Sequence, residues 1–470
     1  MKTKIQNLRK KYPKFIYENY SYRISKNNLE IFFDFKIEPG ICFRPKVIIE
    51  NIDESKLKKI GNKILNNLIF HLGLAEIPSY WKATCSPKII VKAGPLNKEQ
   101  INWWKDLIIQ GLGQFFYENK INFRKQNFFK VIPINSNFTR LNLVKLSKNE
   151  DKVLVPVGGG KDSIVTLEIL KKIKKDINCF SLNPTESAQK IIKIASCKKP
   201  LIIRRKTDKR LLELNQKGFL NGHTPFSSYL SFLSVILAVI FNYKYIAFSQ
   251  ERSSNEGNIK YLSKIINHQY SKSFDFEKKF KNYSKKYLTK NVEYFSFLRP
   301  IYEIQIAKLF SSYPKYFSSF LSCNEAYKTA SGTKKPTKKW CGNCPKCLFV
   351  WTCLYPFIDN KKLSKIFGKN LFQDKKLLSL MKELIGEQGI KPFECIGTKK
   401  ESLLAFYLSW KKANKIGIDI SKLSLLNYFE EKVLLKHQNL ENESKKMINS
   451  WNNYNNLPKE FEKILKKVVS

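Results

Sequence analysis

The sequence predicts an α/β protein with a doubly wound parallel sheet, an N-terminal α+β domain and a helical C-terminal region. Short apolar strands alternate with helices from residue 152 onwards, which is typical of a parallel sheet covered on both faces. Strand-like stretches precede them at 20–24, 29–35 and 46–49, and amphipathic helical patterns without strands follow from about residue 361. At 470 residues the chain is long enough for two or three domains with cores of their own.

Changes in pattern along the chain predict three regions. Residues 1–148 mix strands with helices, among them a helix over 98–117, and form an N-terminal domain that we expect to recognise the substrate. A polar run at 147–151 marks the start of the central domain, residues 149–360, and residues 361–470 form the helical region. Four strands are predicted in the central domain, at 152–157, 177–182, 201–203 and 245–249. Three helices are predicted between them: one that follows a glycine-rich turn and ends at residue 173, one over 185–197 and one over 226–241.

The net charge of +46 is the strongest feature of the composition. Basic surface releases counterions from phosphates, so nucleic-acid binding is one interpretation. Only ten of the 85 basic residues are arginine, however, and the lysines are spread along the whole chain. Because arginine is the better reader of phosphates and bases, we interpret the charge as compositional drift that also helps to attract an anionic substrate. We expect no nucleic-acid partner.

The sequence also argues against a secreted or membrane protein. The first residues lead into no apolar core typical of a signal peptide. The longest apolar run, 229–241, is interrupted by serines and is shorter than the roughly 20 residues that a spanning helix needs. We therefore expect a cytoplasmic protein without a membrane partner, and no pattern specifies its oligomeric state.

A glycine-rich turn follows the first strand of the central domain. Three glycines between a buried strand and a helix let the backbone close around a phosphate, whose charge the N–H groups and the positive helix end receive. The turn is not a Walker A loop, because an aspartate follows the lysine where Ser or Thr is required, and it lacks the third glycine of a dinucleotide fingerprint. The predicted phosphate-binding residues are Gly158, Gly159, Gly160, Lys161 and Ser163, and Asp162 is placed to influence a magnesium ion or the ribose.

Residues 158–163 resemble the PP-loop of ATP pyrophosphatases, Ser-Gly-Gly-x-Asp-Ser, at every fixed position except the first, where Gly158 replaces Ser. The resemblance implies the PP-loop, adenine nucleotide alpha hydrolase-like form of the sheet. It also implies ATP and Mg²⁺ as cofactors, with ATP cut between its α and β phosphates and the substrate adenylated. In that family the adenine lies near the end of the second strand, which here is Asn183.

The ten cysteines favour metal binding or catalysis over disulfides, and four of them fall in one segment. Two overlapping C-x-x-C steps, from Cys341 through Cys344 to Cys347, can present thiolates to one ion, and Cys323 can complete a tetrahedron. Four sulfurs without a nearby histidine indicate a structural zinc site, with an iron–sulfur cluster as the alternative. The PP-loop enzymes that make cyano-deazaguanine carry a similar zinc site after their α/β domain.

Polar segments around these motifs occur in the order of a narrower family. The segments are 79–85, 158–163, 220–223, 251–258, 267–273, 341–347 and 391–395. Together they resemble the MurL-type epimerases of peptidoglycan precursor synthesis, from residue 79 to about residue 398. The resemblance implies ATP-dependent conversion of the terminal L-Glu of UDP-N-acetylmuramoyl-L-Ala-L-Glu to D-Glu, so the expected partner is a small UDP-sugar dipeptide.

Inversion of a glutamate centre needs groups that move a proton and groups that hold an anionic substrate. His223 and His268 lie in polar segments, and Glu251 follows a strand whose carboxyl end should border the ATP site. We assign proton transfer to these three residues and substrate binding to Arg252 and Lys82. Each histidine on its own could equally bond local backbone, and Glu251 could pair with Arg252.

The sequence leaves two other functions open. One is amide or nitrile formation on a deazaguanine-type base, which would use the same PP-loop chemistry. The other is modification or binding of tRNA, which the basic charge favours but no aromatic–basic motif supports.

Overall fold

A computed structural model of the protein describes residues 4–134, 150–327 and 339–469. Within these residues eleven strands form one sheet and two more form a small hairpin. The strands are β1 (Lys14–Ser25), β2 (Asn28–Glu38), β3 (Ile41–Phe43), β4 (Lys46–Ile49), β5 (Lys88–Val91), β6 (Lys130–Pro133), β7 (Glu150–Pro156), β8 (Asp176–Leu182), β9 (Leu201–Lys206), β10 (Tyr243–Phe248), β11 (Ile259–Tyr261), β12 (Lys264–Ile266) and β13 (Glu293–Ser296).

Helices cover both faces of the large sheet and build the C-terminal region, as predicted there. The α-helices in the described residues are α1 (Lys4–Lys11), α2 (Glu54–Ile60), α3 (Asn62–Trp81), α4 (Lys98–Gly111), α5 (Gly113–Glu118), α6 (Lys161–Leu170), α7 (Glu186–Ile194), α8 (Lys209–Gln216), α9 (Phe226–Ile240), α10 (Phe274–Tyr287), α11 (Glu303–Ser311), α12 (Asn324–Tyr327), α13 (Pro345–Leu354), α14 (Asn360–Phe367), α15 (Leu378–Ile385), α16 (Lys399–Lys415), α17 (Ser424–Tyr428), α18 (Leu440–Ile448) and α19 (Lys459–Val469).

Five adjacent strands run parallel at one end of the large sheet, in the order β13–β10–β7–β8–β9. The chain moves outward from β7 through β8 and β9, then returns to the other side of β7 for β10 and β13. The strand order therefore reverses between β7 and β10. In an open α/β sheet, the carboxyl ends of the two strands at such a reversal lie on either side of a crevice. The mixed α/β fold with a large, mostly parallel sheet is confirmed, and its assignment as a doubly wound PP-loop fold stays a prediction.

The N-terminal strands continue this same sheet. β4 pairs antiparallel with β9, with Ile49 opposite Ile203, and β2 and β1 follow through antiparallel pairs. β5 and β6 then run parallel to β1 at the far edge. One sheet thus extends through both regions. The boundary predicted near residue 148 falls in residues 135–149, outside the described residues, and the division into domains stays a prediction.

Alternating side chains of the central strands contribute to two apolar cores, one on each face of the sheet. Leu154 of β7 belongs to a core shared with α3 and α9, whereas Val153 and Val155 belong to a core shared with α6, α11 and α13. Helix α9 is buried because it packs against α3 on one side and the sheet on the other. No helix in the described ranges is long and apolar enough to cross a membrane.

The elements predicted for the central domain are confirmed as β7, α6, β8, α7, β9, α9 and β10. The helix predicted over 98–117 is interrupted at Leu112 and forms α4 and α5. One cysteine pair departs from the prediction, since Cys179 and Cys197 are joined by a disulfide. No spacing pattern indicated this disulfide. Cys179 lies within β8 and Cys197 follows the end of α7 in the chain, so the two come together only because α7 packs on the sheet.

One buried ion pair ties together the loops that follow β10 and β13. The side chains of Arg299 and Glu277 are both fully buried, with Arg299 Nε 3.1 Å from Glu277 Oε2. Arg299 also donates to the main-chain carbonyls of Glu251 at 2.6 Å and Lys272 at 2.5 Å, and to the hydroxyl of Ser254 at 2.9 Å. A guanidinium has five donors in fixed directions, so it can join several chain segments at once.

We expect Glu277→Gln to destabilise the protein by about 3–5 kcal/mol, because the change leaves the Arg299 guanidinium buried without a counter-charge. Urea unfolding followed by circular dichroism measures the change. Glu54→Gln is a matched control, since the ion pair of Glu54 with Lys58 is exposed and such a pair contributes about 0–1 kcal/mol. Equal unfolding midpoints for the two variants would contradict the prediction.

Candidate active site

The glycine-rich turn joins β7 to α6 at the carboxyl end of the parallel strands. Gly159 has a φ of +104°, and a Cβ there would lie 3.0 Å from Ser187 Oγ, so glycine is favoured at this position. Gly160 is the N-cap of α6 and offers no side chain to the first N–H groups of the helix, which can therefore receive an anion. Ser163 Oγ donates to the Gly160 carbonyl at 3.0 Å. A Cβ at Gly158 would meet nothing within 4 Å, so the serine of the PP-loop pattern would fit there.

Three carboxylates converge beside this turn. Oxygen atoms of Asp162, Glu251 and Glu303 all lie within 4.8 Å of one another. Asp162 follows β7, Glu251 follows β10 and Glu303 follows β13. These three strands are adjacent and parallel, so the segments that leave their carboxyl ends meet at one place. The strand order thus explains why residues far apart in sequence form one acidic cluster.

Two lysines balance part of the charge of the acidic cluster. Lys161 Nζ lies 2.5 Å from Asp162 Oδ1 and also contacts Glu303 Oε2, and Lys346 Nζ lies 3.8 Å from Glu303 Oε1. Burial alone would lower the pKa of Lys161, but Asp162 and Glu303 outweigh burial and raise it. Lys161 therefore stays charged, with its ammonium group against the carboxylates, and its predicted contact with phosphate stays a prediction.

Glu251 is the carboxylate most affected by this crowding. Burial first, and then the charges of Glu303 and Asp162, raise its pKa to about 7. A divalent cation would relieve the repulsion between the carboxylates. Carboxylate oxygens are also the ligands that Mg²⁺ prefers, so the donor set of the acidic cluster fits Mg²⁺.

The two histidines assigned to proton transfer lie against each other, with ring centroids 4.3 Å apart. Burial first, and among the nearby charges Lys272, lower the pKa of both, that of His268 to about 3. Both imidazoles are therefore neutral near pH 7. The loop that carries His223 is held by Lys82, whose Nζ donates to the Gly222 carbonyl at 2.5 Å.

A thiol lies beside the histidines. Cys395 Sγ is 3.0 Å from Lys272 Nζ and 3.8 Å from His268 Nε2. All three residues are half-buried. The main-chain carbonyl of Cys395 accepts a hydrogen bond from Lys346 Nζ, the lysine that also contacts the acidic cluster.

Lys272 connects the thiol to the acidic cluster. Burial would lower its pKa, but its interactions with Cys395, Glu251 and Asp162 outweigh burial and raise it. Its main-chain carbonyl and that of Glu251 both accept from Arg299. The acidic cluster and the histidine–thiol group are therefore parts of one site.

The other predicted residues lie around this site with different immediate partners. The guanidinium of Arg252 stacks over the ring of Tyr302, 4.3 Å from its centroid. The side chain of Asn183 exchanges two hydrogen bonds with the main chain of Arg205, which joins the ends of β8 and β9. Glu251, assigned to proton transfer, places its carboxylate in the acidic cluster. The roles of Arg252 and Asn183 toward substrate and adenine stay predictions.

The four clustered cysteines converge on one point. Their Sγ atoms lie 3.5 Å apart in Cys344–Cys347, 3.6 Å in Cys341–Cys347 and 3.9 Å in Cys323–Cys344. A tetrahedral zinc ion with Zn–S bonds of about 2.3 Å holds its sulfurs roughly 3.8 Å apart, so the set fits a single ion. An iron–sulfur cluster contains several metal atoms and would hold the sulfurs farther apart. The spacing fits a single metal ion, and zinc as that ion stays a prediction.

The cysteine cluster also positions a lysine of the active site. Lys346 lies between Cys344 and Cys347 at the start of α13, and its Nζ reaches both Glu303 and the carbonyl of Cys395. An ion held by the cysteines would therefore fix Lys346 between the acidic cluster and the thiol.

Sequence reasoning missed Glu303, Lys272 and Cys395 as site residues. Glu303 follows β13, a strand of four residues that no apolar pattern singled out. Recognition of that strand would have placed Glu303 at the crevice by the same rule that placed Glu251 there. Lys272 and Cys395 lie in the segments 267–273 and 391–395 that resemble the epimerases. Their place in these two segments was the sequence signal that could have identified them as site residues.

We expect Glu251→Gln to stabilise the metal-free protein at pH 8 by about 1–3 kcal/mol. A carboxyl group whose pKa is raised by folding contributes stability that is present below its unfolded pKa and is lost as the pH rises through about 7. Urea unfolding at pH 8 and pH 5 measures the effect, and the gain should shrink at pH 5. Glu54→Gln again serves as the exposed control. A variant less stable than the unaltered protein at pH 8 would show that Glu251 is not repelled by its neighbours.

We expect metal analysis of the purified protein to find one zinc ion per chain, and Cys347→Ser to lose it and to unfold at a lower temperature. Cys42→Ser is the matched control, because Cys42 is exposed and lies outside the cluster. Iron in place of zinc, or full zinc content in Cys347→Ser, would speak against a zinc site built from these four thiols.

Comparison with known proteins places this chain in a family. A profile of the MurL N-terminal domain matches residues 6–297, and a profile of the MurL C-terminal domain matches residues 319–433. Three curated proteins named UDP-N-acetyl-alpha-D-muramoyl-L-alanyl-L-glutamate epimerase also align with it. The protein from a Micromonospora species is 34% identical over 331 residues, 70% of this chain and 72% of its own length.

The other two relatives are similarly close. The protein from Salinispora tropica is 32% identical over 330 residues, 70% of each chain. The protein from Xanthomonas oryzae pathovar oryzae is 31% identical over 340 residues, 71% of this chain and 73% of its own length. With both domain profiles matched in order and these relatives aligned over most of their length, the chain belongs to the MurL family.

Proposed function

We propose that this protein converts the terminal L-Glu of UDP-N-acetylmuramoyl-L-Ala-L-Glu to D-Glu, in a reaction coupled to the cleavage of ATP to AMP and pyrophosphate. The observation that carries the proposal is the meeting of a glycine turn, three carboxylates and a histidine–thiol group at one reversal of the strand order. The names of the relatives point to this UDP-sugar dipeptide as the substrate. The product would enter peptidoglycan precursor synthesis in the cytoplasm.

The glycine turn is the proposed site of the ATP phosphates. The N–H groups of residues 158–160 and of the first turn of α6 would bind the departing pyrophosphate. Asp162, Glu251 and Glu303 would hold Mg²⁺, which neutralises phosphate charge when it is bound. The adenine would lie near Asn183, at the end of β8.

The coupling to ATP has a chemical reason. An α-hydrogen beside a carboxylate is a very poor acid, because its removal would place a second negative charge on an anion. Adenylation of that carboxylate cancels the charge and makes a carbonyl group that can hold the electron pair of the broken C–H bond. Proton removal from one face and proton return to the other then invert the centre, and hydrolysis releases AMP. A phosphate-binding turn and proton-transfer groups are therefore required in the same site.

Lys82 and Arg252 are the proposed contacts to the anionic groups of the substrate. Burial first, and then the charge of Arg205, lower the pKa of Lys82 to about 8, so it is mainly charged near pH 7. Its ammonium group already holds the Gly222 carbonyl next to His223, which would link substrate binding to the histidine loop. By elimination, residues 1–148 would bind the uridine-sugar end.

We expect D-Glu to form when the protein is incubated with ATP, Mg²⁺ and the UDP-muramoyl dipeptide, as measured by chiral analysis of the released glutamate and quantification of AMP. Because the cut is proposed between the α and β phosphates, β,γ-methylene-ATP should support the reaction and α,β-methylene-ATP should not.

Three results would reject this proposal. ADP in place of AMP would place the cut elsewhere, and D-Glu formation without ATP would remove the need for carboxylate activation. AMP formed only when tRNA or a deazaguanine-type base is added would favour the alternative PP-loop functions.

A further inference from the structure

Cys395 lies between a hydrogen-bond donor, Lys272, and a potential acceptor, His268. Lys272 Nζ, 3.0 Å from Cys395 Sγ, donates hydrogen bonds and accepts none, so it favours the thiolate. His268 Nε2 lies 3.8 Å from the same sulfur. This nitrogen can accept a hydrogen bond from the thiol provided that it carries no proton of its own.

Two hydrogen bonds behind His268 determine which ring nitrogen carries the proton. Gln114 Nε2 donates to Glu118 Oε1 at 2.7 Å, and a carboxylate only accepts. The Gln114 amide therefore turns its oxygen toward His268 Nδ1, which lies 2.6 Å away. Nδ1 must then be the donor, and the lone pair of Nε2 is left facing the Cys395 sulfur.

The histidines themselves are poor carriers of the transferred proton. Burial first, and then neighbouring positive charges, hold the pKa of His268 at about 3 and that of His223 well below its ordinary value. An imidazole with so low a pKa neither removes an α-proton readily nor keeps it near pH 7. In the cluster of His223, His268, Lys272 and Cys395, only the Cys395 sulfur has a hydrogen-bond partner for each of its two forms. Lys272 can donate to the thiolate, and His268 can accept from the thiol.

We propose that Cys395 is the catalytic residue that exchanges a proton with the α-carbon of the glutamate, with Lys272 and His268 as its positioning residues. The inference rests on the proposed function and assigns one of its chemical steps. The resemblance to the epimerases led us to expect His223, His268 and Glu251 in this role, and the geometry moves it to the thiol.

The Cys395 thiolate takes the α-proton, so the C–H bond breaks, an S–H bond forms, and the electron pair moves to the carbonyl oxygen of the activated carboxylate. Water then gives a proton to the opposite face of the α-carbon. The hydroxide left behind takes the proton of the thiol, which returns the thiolate. Lys272 stabilises the sulfur before the transfer and His268 accepts from it afterwards.

Cys395→Ser and Cys395→Ala test the assignment in D₂O with ATP, Mg²⁺ and the UDP-muramoyl dipeptide. We expect D-Glu formation and deuterium uptake at the α-carbon to fall at least about 100-fold, the size typical of a lost acid–base group. Pyrophosphate formation in a single turnover should stay within about threefold of the unaltered rate, because adenylation precedes proton transfer. Cys42→Ser, which alters an exposed thiol outside the site, should keep all three rates.

The outcomes separate the two proposals. D-Glu formation by both Cys395 variants within about threefold of the unaltered rate would overturn the assignment, and so would a loss of single-turnover pyrophosphate formation equal to the loss of D-Glu. An unaltered protein that makes no D-Glu rejects the proposed function instead.

A second measurement needs no turnover. Iodoacetamide labelling mapped by peptide mass spectrometry should modify Cys395 at least about tenfold faster than Cys42, because the Lys272 ammonium favours the reactive thiolate. Lys272→Met should remove that advantage and leave the labelling of Cys42 unchanged. Equal rates for the two cysteines in the unaltered protein would overturn the assignment.

Discussion

The buried ion pair between Arg299 and Glu277 is the constraint on which the site depends. One guanidinium holds the carbonyl of Glu251, whose carboxylate belongs to the acidic cluster, and the carbonyl of Lys272, whose ammonium lies beside the thiol. It thereby sets the separation between the two halves of the site. Burial of two charges costs several kcal/mol per ion before their attraction is counted, so a buried pair is weak support for stability alone. The clear contribution of this pair is to hold Glu251 and Lys272 in place relative to each other.

Much of the parallel part of the fold could be predicted because its elements are regular. β7 is followed by α6, β8 lies between α6 and α7, and β10 follows α9, and such alternation of short apolar strands with helices is typical of strands buried on both faces. β13 was not predicted, because no apolar pattern singled out its residues Glu293–Ser296. The pairing of β4 with β9 was also out of reach, since it joins residues far apart in sequence and depends on register.

In the site, as in the fold, local features could be predicted and contacts between distant segments could not. Asp162 and Glu251 were found because each follows a recognised strand, and the four cysteines because their spacing suits one ion. Contacts between segments were not predictable. The proximity of His223 to His268 and of Lys272 to Cys395 comes from the folding of separate loops over the sheet. The sequence therefore indicates which segments matter, and the structure shows which atoms within them meet.

The antiparallel pairing of β4 with β9 affects how the protein can be divided. If the N-terminal strands were removed, β9 would end the sheet with a row of unpaired N–H and C=O groups. An open edge of this kind is a template for other chains and promotes aggregation. A fragment designed around the glycine turn alone would therefore be prone to precipitate even with every residue of the acidic cluster present. The N-terminal strands therefore shield the edge of the sheet that carries the glycine turn, and truncated versions of the protein should retain them.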